Sequence, residues 1–281
     1  MKCPSRPFVL LSALVPLFAW TGCERELAFS TREILTTRTL GLAYLEENRL
    51  EEAEAEFKRL TEMAPGEPMG FANLGLAHLR QGDYEEAEAS IREALELEDS
   101  NPDIRLLLAK VLELTGRTTE ARDVLEGTLA QTPDHLKSLY ALAQLPADAQ
   151  GTETANRREE ALRRLVELAP MNLPARLMFI EALLENGRSD EALANLEALR
   201  AQIPELTPQA ASFFDEAVES MRAGNATEAL RPMRVLGNFL RVTGAYQAGI
   251  NDLDGPGGVL IGFPVVTFSQ PMPQSQTQEE V

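Results

Sequence analysis

The fold of this 281-residue chain is decided by residues 73–87, which read NLGLAHLRQGDYEEA. Apolar residues at helical spacing surround the small residue Gly75 and stop at Gly82. Glycine readily takes the left-handed conformation that ends a helix. Asp83 and Glu86 then have the spacing of a capping box, which starts a helix. The stretch therefore predicts one helix, a tight turn and a second helix.

The same arrangement recurs along the chain. The pair Glu-Ala returns at 52–53, 86–87, 120–121, 160–161, 191–192 and 228–229, and the first three copies are 34 residues apart. Turn residues separate the predicted helices at Asn48, Gly82, Gly116, Gly187 and Gly224. Internal repeats of this length indicate stacked helical hairpins.

The 34-residue unit resembles the tetratricopeptide repeat (TPR), a helix–turn–helix module, and residues 73–87 are nearly a family consensus. The resemblance implies an all-α, right-handed α-solenoid of about six repeats over residues 34–243. The expected repeats are 34–67, 68–101, 102–135, 136–172, 173–206 and 210–243.

The recurring small residues predict where the two helices of a repeat approach closely. Gly41 and Gly75 are small in the first helix, and large residues such as Leu40, Phe57 and Ile91 are expected to fill the remaining space.

The last three repeats depart from the pattern. The fourth contains a polar insertion, and counting back from Pro170 places Arg158, not Ala161, at its small second-helix position. In the sixth repeat, Pro232 falls inside the second helix and is expected to kink it.

Residues 1–22 resemble a bacterial lipoprotein signal peptide. Lys2 and Arg6 precede an apolar run over 8–20, too short for the ~20 residues that span a bilayer. The small residues before Cys23 resemble a lipobox, although Trp20 stands where that motif prefers Leu or Val. The resemblance implies lipidation at Cys23; an ordinary secretory signal that leaves Cys23 a free thiol is the alternative.

Lipidation implies a location in the bacterial cell envelope. The residue after the cysteine is Glu24, not the Asp typical of lipoproteins kept at the inner membrane, so the resemblance favours the outer membrane, facing the periplasm. Residues 23–33 are then a linker from the membrane anchor to the solenoid.

TPR proteins usually bind partner segments in a concave groove lined by the first helix of each repeat. By this resemblance the groove-lining candidates are Arg38, Leu42, Leu45, Met69, Asn73, Leu76, Arg80, Lys110, Lys137, Tyr140, Gln144, Leu177, Glu181 and Leu184. The set is largely apolar, which suits an amphipathic helix or an extended segment of another protein.

Several classes of function are disfavoured. The chain has 26 basic and 44 acidic residues, a net charge of −18, so a nucleic-acid partner is not expected. Its two histidines, His78 and His135, have no suitably spaced partners; the first is expected to pack and the second to be solvated. The sequence predicts no catalytic residue, metal site or cofactor.

From Gly244 the helical pattern is expected to stop. Residues 244–281 are rich in Gly and Pro, residues 259–268 (VLIGFPVVTF) predict one or two strands, and residues 270–281 are expected to be disordered. Residues 255–269 also resemble the junction between such repeats and a β-propeller domain.

The leading interpretation is a lipid-anchored, non-enzymatic envelope scaffold that binds another protein in its groove. The alternative is an adaptor module of a larger extracellular β-propeller protein, represented here by a truncated relative; an enzyme with an unrecognised site is a third. The sequence does not specify the oligomeric state.

Overall fold

The computed structural model describes residues 29–146, 151–203 and 205–254, which form thirteen helices and no strands. The helices are α1 (Thr31–Glu46), α2 (Leu50–Met63), α3 (Pro68–Gln81), α4 (Tyr84–Leu97), α5 (Pro102–Leu114), α6 (Thr118–Gln131), α7 (Leu136–Gln144), α8 (Thr152–Leu168), α9 (Leu173–Glu185), α10 (Ser189–Gln202), α11 (Pro208–Arg222), α12 (Ala226–Arg241) and α13 (Gly244–Asp254).

The first twelve helices form six consecutive hairpins, and the first and second helices of each are called A and B below. The two helices of a hairpin pack together, and the B helices α2, α4, α6 and α8 each pack against the next A helix. This is the predicted all-α solenoid, and its repeats share one continuous core.

The predicted turn residues all adopt left-handed backbone conformations. Their φ angles are 59° at Asn48, 91° at Gly82, 78° at Gly116, 75° at Gly187 and 74° at Gly224. At Gly82 this conformation lets the next N–H, that of Asp83, donate to the carbonyl of His78 at 2.9 Å, which closes the end of α3.

The predicted capping box at Asp83 and Glu86 is wrong. Asp83 has φ −85° and ψ 72°, and its side chain makes no capping hydrogen bond. The tight turn holds its backbone away from the extended conformation from which an N-cap side chain reaches the helix. A capping box is present instead at α1, where Ser30 Oγ accepts from the Glu33 N–H at 3.3 Å.

The predicted close approach of A and B helices is confirmed. A Cβ atom added to Gly75 would lie 2.5 Å from Ile91 Cγ1 and 3.1 Å from the Ala87 carbonyl oxygen. One added to Gly41 would lie 2.6 Å from Phe57 Cε1. At both positions, the backbone of the A helix contacts a side chain of the B helix so closely that a residue larger than glycine would clash.

Leu40 does not fill the core as expected and is 40% exposed. Its counterpart in the second repeat, Leu74, is buried on α3, which packs against α2. No described helix precedes α1, so the equivalent face of α1 lacks that cover.

The structure resolves the register of the fourth repeat. The buried positions of α4 at Ser90, Ile91 and Ala94 recur 71 residues later in α8 as Ala161, Leu162 and Leu165. Arg158 therefore stands where α4 has its small alanine. Its side chain bonds to the neighbouring A helices: Nε donates to the carbonyl of Ala143 on α7 at 3.1 Å, and Nη1 pairs with Glu185 on α9 at 2.6 Å.

The sixth hairpin packs differently from the others. Helix α11 contacts α10 as expected, but α12 also packs against the A helix α9. Glu185 on α9 joins this contact, since it pairs with Arg158 at 2.6 Å and with Arg234 of α12 at 3.1 Å. Helix α12 runs without a break across the buried Pro232.

The prediction that helical structure ends at Gly244 is wrong, because residues 244–254 form α13. The hydroxyl of Thr243 accepts from the Tyr246 N–H at 3.3 Å near the start of this helix. The sequence did not predict this helix because its glycines are unfavourable in a helix. Packing against α7, α9 and α12 stabilises it. The predicted strand at 259–268 and the predicted disorder at 270–281 lie outside the described residues.

Asp103 links the third and fourth repeats. Its Oδ1 accepts a hydrogen bond from Lys137 Nζ at 3.1 Å and lies 3.6 Å from His135 Nε2. The side chain of His135 is only 15% exposed, so the expectation that it is solvated is wrong. Burial alone would raise the pKa of Asp103, but the interactions with His135 and Lys137 outweigh it, and the pKa lies below its ordinary value of 3.8.

We expect Gly75→Ala to lower the free energy of unfolding by about 1–3 kcal/mol, because the added methyl group overpacks the contact with Ile91. The control is Gly127→Ala in α6, where an added Cβ meets only Arg105 Nη1 at 3.9 Å. Because Gly127 has room for a methyl group, the higher helix propensity of alanine should raise the free energy of unfolding by about 0.5–1 kcal/mol. Urea unfolding measures both, and equal effects would contradict the close approach.

We expect the stability difference between wild type and Asp103→Asn to depend on pH. Because the folded pKa is depressed, the stabilising contribution of Asp103 is fully present above about pH 4 and is lost as the pH falls through the folded pKa. Urea unfolding between pH 7 and pH 3 measures this loss. Asp123→Asn, at an exposed position of α6, is the control. A difference for Asp103→Asn that stays constant with pH would argue against the link.

Candidate partner-binding surface

The predicted groove residues lie on the A helices, but most are not open to solvent. Eight are buried: Arg38, Leu45, Met69, Asn73, Leu76, Tyr140, Leu177 and Leu184. Five are half-buried, namely Leu42, Arg80, Lys110, Lys137 and Glu181, and Gln144 is exposed. Most of the apolar members therefore belong to the packed core, and the accessible part of the row is more polar than the sequence suggested.

The basic members of the row are engaged in bonds within the solenoid. Arg80 Nη1 donates to the carbonyl of Leu45 at 2.7 Å, which ties α3 to the end of α1. Burial lowers the pKa of the Arg80 guanidinium. Arg38 pairs with Glu67, and Lys110 pairs with Glu113 at 2.8 Å. These groups already have partners within the chain, so they do not form a ready anion-binding cluster.

Asn73 differs from these basic members. It lies near the middle of α3, is fully buried, and neither its amide nitrogen nor its amide oxygen has a hydrogen-bond partner among the described residues. Leaving a buried polar group unpaired costs about 1–3 kcal/mol. His78, one turn further along, is buried as expected, and its Nδ1 is also without a partner there.

The C-terminal section of the row is covered by the chain itself. A Cβ added to Gly237 of α12 would lie 3.9 Å from Glu181 Oε1, and one added to Gly249 of α13 would lie 2.5 Å from Pro174 Cδ. Burial raises the pKa of Glu181, against the lowering effect of nearby arginines. Helix α13 therefore packs on the section of the row carried by α7 and α9, and α12 packs on α9.

Sequence reasoning missed a cleft of about 560 Å³ between α6, α7 and α8. Its apolar lining comes from Leu129, Pro133, Leu139, Leu142 and Ala161, and its charged lining from Glu126, Arg157, Glu160 and Arg164. Both arginines already bind acids: Arg157 pairs with Glu126 at 2.8 Å and Arg164 with Asp134 at 2.6 Å. No signal in the sequence pointed to this cleft, because its lining comes from three different helices and the turn at Pro133.

A serine, a histidine and an aspartate also meet near the start of α7. His135 Nδ1 is 2.7 Å from Ser138 Oγ, and its Nε2 faces Asp103. Ser138 is fully buried, so its hydroxyl is closed to a substrate. The group joins two repeats.

Within the described ranges, no three His, Cys, Asp or Glu side chains are arranged to hold a metal ion. In the same ranges, no helix has both the length and the apolar character needed to cross a membrane.

Comparisons with known proteins agree with this geometry. Residues 39–67 and 78–145 match the tetratricopeptide repeat family. No curated protein matches the chain.

Several solved structures share the fold. PilF of Pseudomonas aeruginosa is 16% identical, with a TM-score of 0.56 over 77% of this chain and 96% of that one. YrrB, described as a TPR protein with an unusual peptide-binding site, is 22% identical, with a TM-score of 0.50 over 68% and 96%. MamA of Desulfovibrio magneticus RS-1 is 19% identical, with a TM-score of 0.51 over 60% and 94%. The described part of the chain is therefore an α-solenoid that contains tetratricopeptide repeats.

Proposed function

We propose that the chain is a non-enzymatic scaffold, anchored by a lipid at Cys23 in the bacterial cell envelope, which binds a helix or an extended segment of another protein along its A helices. The observation that carries the binding proposal is the unpaired amide of Asn73 on α3. The repeat fold, shared with a protein described as having a peptide-binding site, supports it.

The chemistry of Asn73 suits a main chain. A carboxamide offers both a donor and an acceptor, which match one peptide unit of a bound segment. The amide is closed to solvent, so a partner must first shift the side chains above it. Its two hydrogen bonds would then recover the desolvation cost that the unbound chain carries.

The anchor proposal rests on residues 1–23, which lie outside the described ranges. An apolar run at 8–20 followed by small residues before Cys23 supports export and lipidation, and Glu24 favours the outer membrane. Stable anchoring needs more than one acyl chain, since a single chain gives only marginal binding. The β-propeller alternative rests on residues 255–269, which are also outside the described ranges, and it stays a prediction.

We expect Asn73→Leu to separate binding from stability. Leucine has a similar volume and removes the unpaired polar atoms, so the free energy of unfolding should stay equal or rise by up to about 3 kcal/mol. Recovery of partners from detergent-solubilised envelopes, measured by mass spectrometry against tagged wild type, should fall at least tenfold. The exposed Asn156→Ala is the control and should recover partners normally. Undiminished recovery by Asn73→Leu would overturn the binding proposal.

We expect incorporation of an alkyne-tagged fatty acid to depend on Cys23. The label should be absent in Cys23→Ala and present in Cys3→Ala, because Cys3 lies in the segment removed on processing. Gel fluorescence of the full-length chain expressed in bacteria measures both. A labelled Cys23→Ala protein would show that the anchor proposal is wrong.

A further inference from the structure

Helix α13 packs against the A helices α7 and α9 and against α12. At the crossing with α9, the backbone of α13 comes so close that only glycine fits: a Cβ on Gly249 would be 2.5 Å from Pro174 Cδ and 3.3 Å from Asn172 Nδ2. Pro174 corresponds to Met69 and Lys137, the positions that the repeat pattern assigns to the groove. Helix α13 therefore lies where a partner is expected.

The contact has the features of a helix bound in a groove. Its inner face carries Tyr246 and Ile250, both half-buried, and Gly249 and Leu253, both buried. Their spacing of i, i+3, i+4 and i+7 is that of a helix docked by its apolar side. Ala248 on the outer face is exposed.

A side chain at the start of α9 bonds to the backbone of α13. Asn172 Nδ2 donates to the carbonyl of Gly249 at 2.8 Å, and this hydrogen bond is buried. Its Oδ1 accepts from the Ala175 N–H at 3.0 Å, which caps α9. Because the capping bond fixes the orientation of the Asn172 carboxamide, its Nδ2 points at the position where a docked helix presents a backbone carbonyl.

Helix α13 depends on this contact. It has 11 residues, and isolated helices shorter than about 12–15 residues are marginal in water. Gly249 in its interior costs about a further 1 kcal/mol relative to alanine. The helix is joined to α12 by two residues, Val242 and Thr243, and a tether this short gives an effective concentration on the order of millimolar at the groove. A weakly held but tethered helix can be displaced by a partner that binds better.

We propose that α13 is an intramolecular ligand that closes the α7–α9 section of the groove, and that the partner helix binds this section by displacing it. The partner is an amphipathic helix with glycine or alanine at the crossing point and apolar residues at −3, +1 and +4 from it. This proposal deepens the proposed function and rests on it.

The test uses the full chain and a fluorescein-labelled synthetic peptide of residues 243–254. Gly249→Leu should expel α13, and its affinity for the peptide, measured by fluorescence anisotropy, should be at least tenfold higher than that of wild type. Ala248→Leu changes the exposed face and should behave like wild type. A control peptide that carries the Gly249→Leu change should bind none of these proteins. Equal binding by all three proteins, or binding by none, overturns the proposal.

Hydrogen exchange of the wild-type chain provides a second measurement that does not depend on a variant. Amides of α13 should exchange at least tenfold faster than those of α9, because α13 opens alone. Exchange of both helices at one rate would mean that α13 is a permanent part of the solenoid, and would overturn displacement.

The two proposals fail in different ways. If Asn73→Leu recovers all partners while Gly249→Leu binds the peptide, the partner-binding proposal at Asn73 fails and the intramolecular ligand stands. If Asn73→Leu loses its partners and the peptide does not bind, only the intramolecular ligand fails.

Discussion

The close approach of the two helices in the first two hairpins, at Gly41 and Gly75, is the constraint on which the repeat packing depends. At Gly75 the helices are near enough that one methyl group would meet both Ile91 and the backbone of Ala87. This contact fixes how each hairpin presents itself to the next, and therefore the direction in which the A helices line up.

Features that depend on single residues, such as turns and close helix contacts, were predictable from the sequence. Features that depend on packing between distant helices were not. The left-handed turns and the small residues at helix crossings are properties of single residues that recur with the repeat, so Gly82 and Gly75 revealed them. Asp83 misled because a two-residue turn controls its backbone more strongly than its capping preference does. Helix α13 was missed because its stability comes from α9 and not from its own composition. The groove residues were placed on the correct helices, but their burial depends on neighbours that a single repeat does not reveal.

The acidic excess is partly used in holding the B helices together. Glu88 pairs with Arg117 at 2.7 Å, Glu126 pairs with Arg157 at 2.8 Å, and Glu159 pairs with Arg188, so each pair joins one repeat to the next. Partly exposed pairs such as Glu88–Arg117 and Glu126–Arg157 contribute about 0–1 kcal/mol each, and salt screens them, whereas the Glu159 carboxylate is buried. The apolar core supplies most of the stability. Acids beyond these pairs leave the outer surface negatively charged.

The packing of α12 on α9 has a consequence for how the chain can change in length. An interior repeat such as 68–101 ends with the same kind of surface as it begins, so a copy inserted beside it would be accommodated without disturbing its neighbours. A copy inserted after α10 would separate α9 from α12 and break the pairing of Glu185 with Arg234. Gene duplication could therefore lengthen the middle of the solenoid, while the contact of α12 with α9 resists an insertion between α10 and α11.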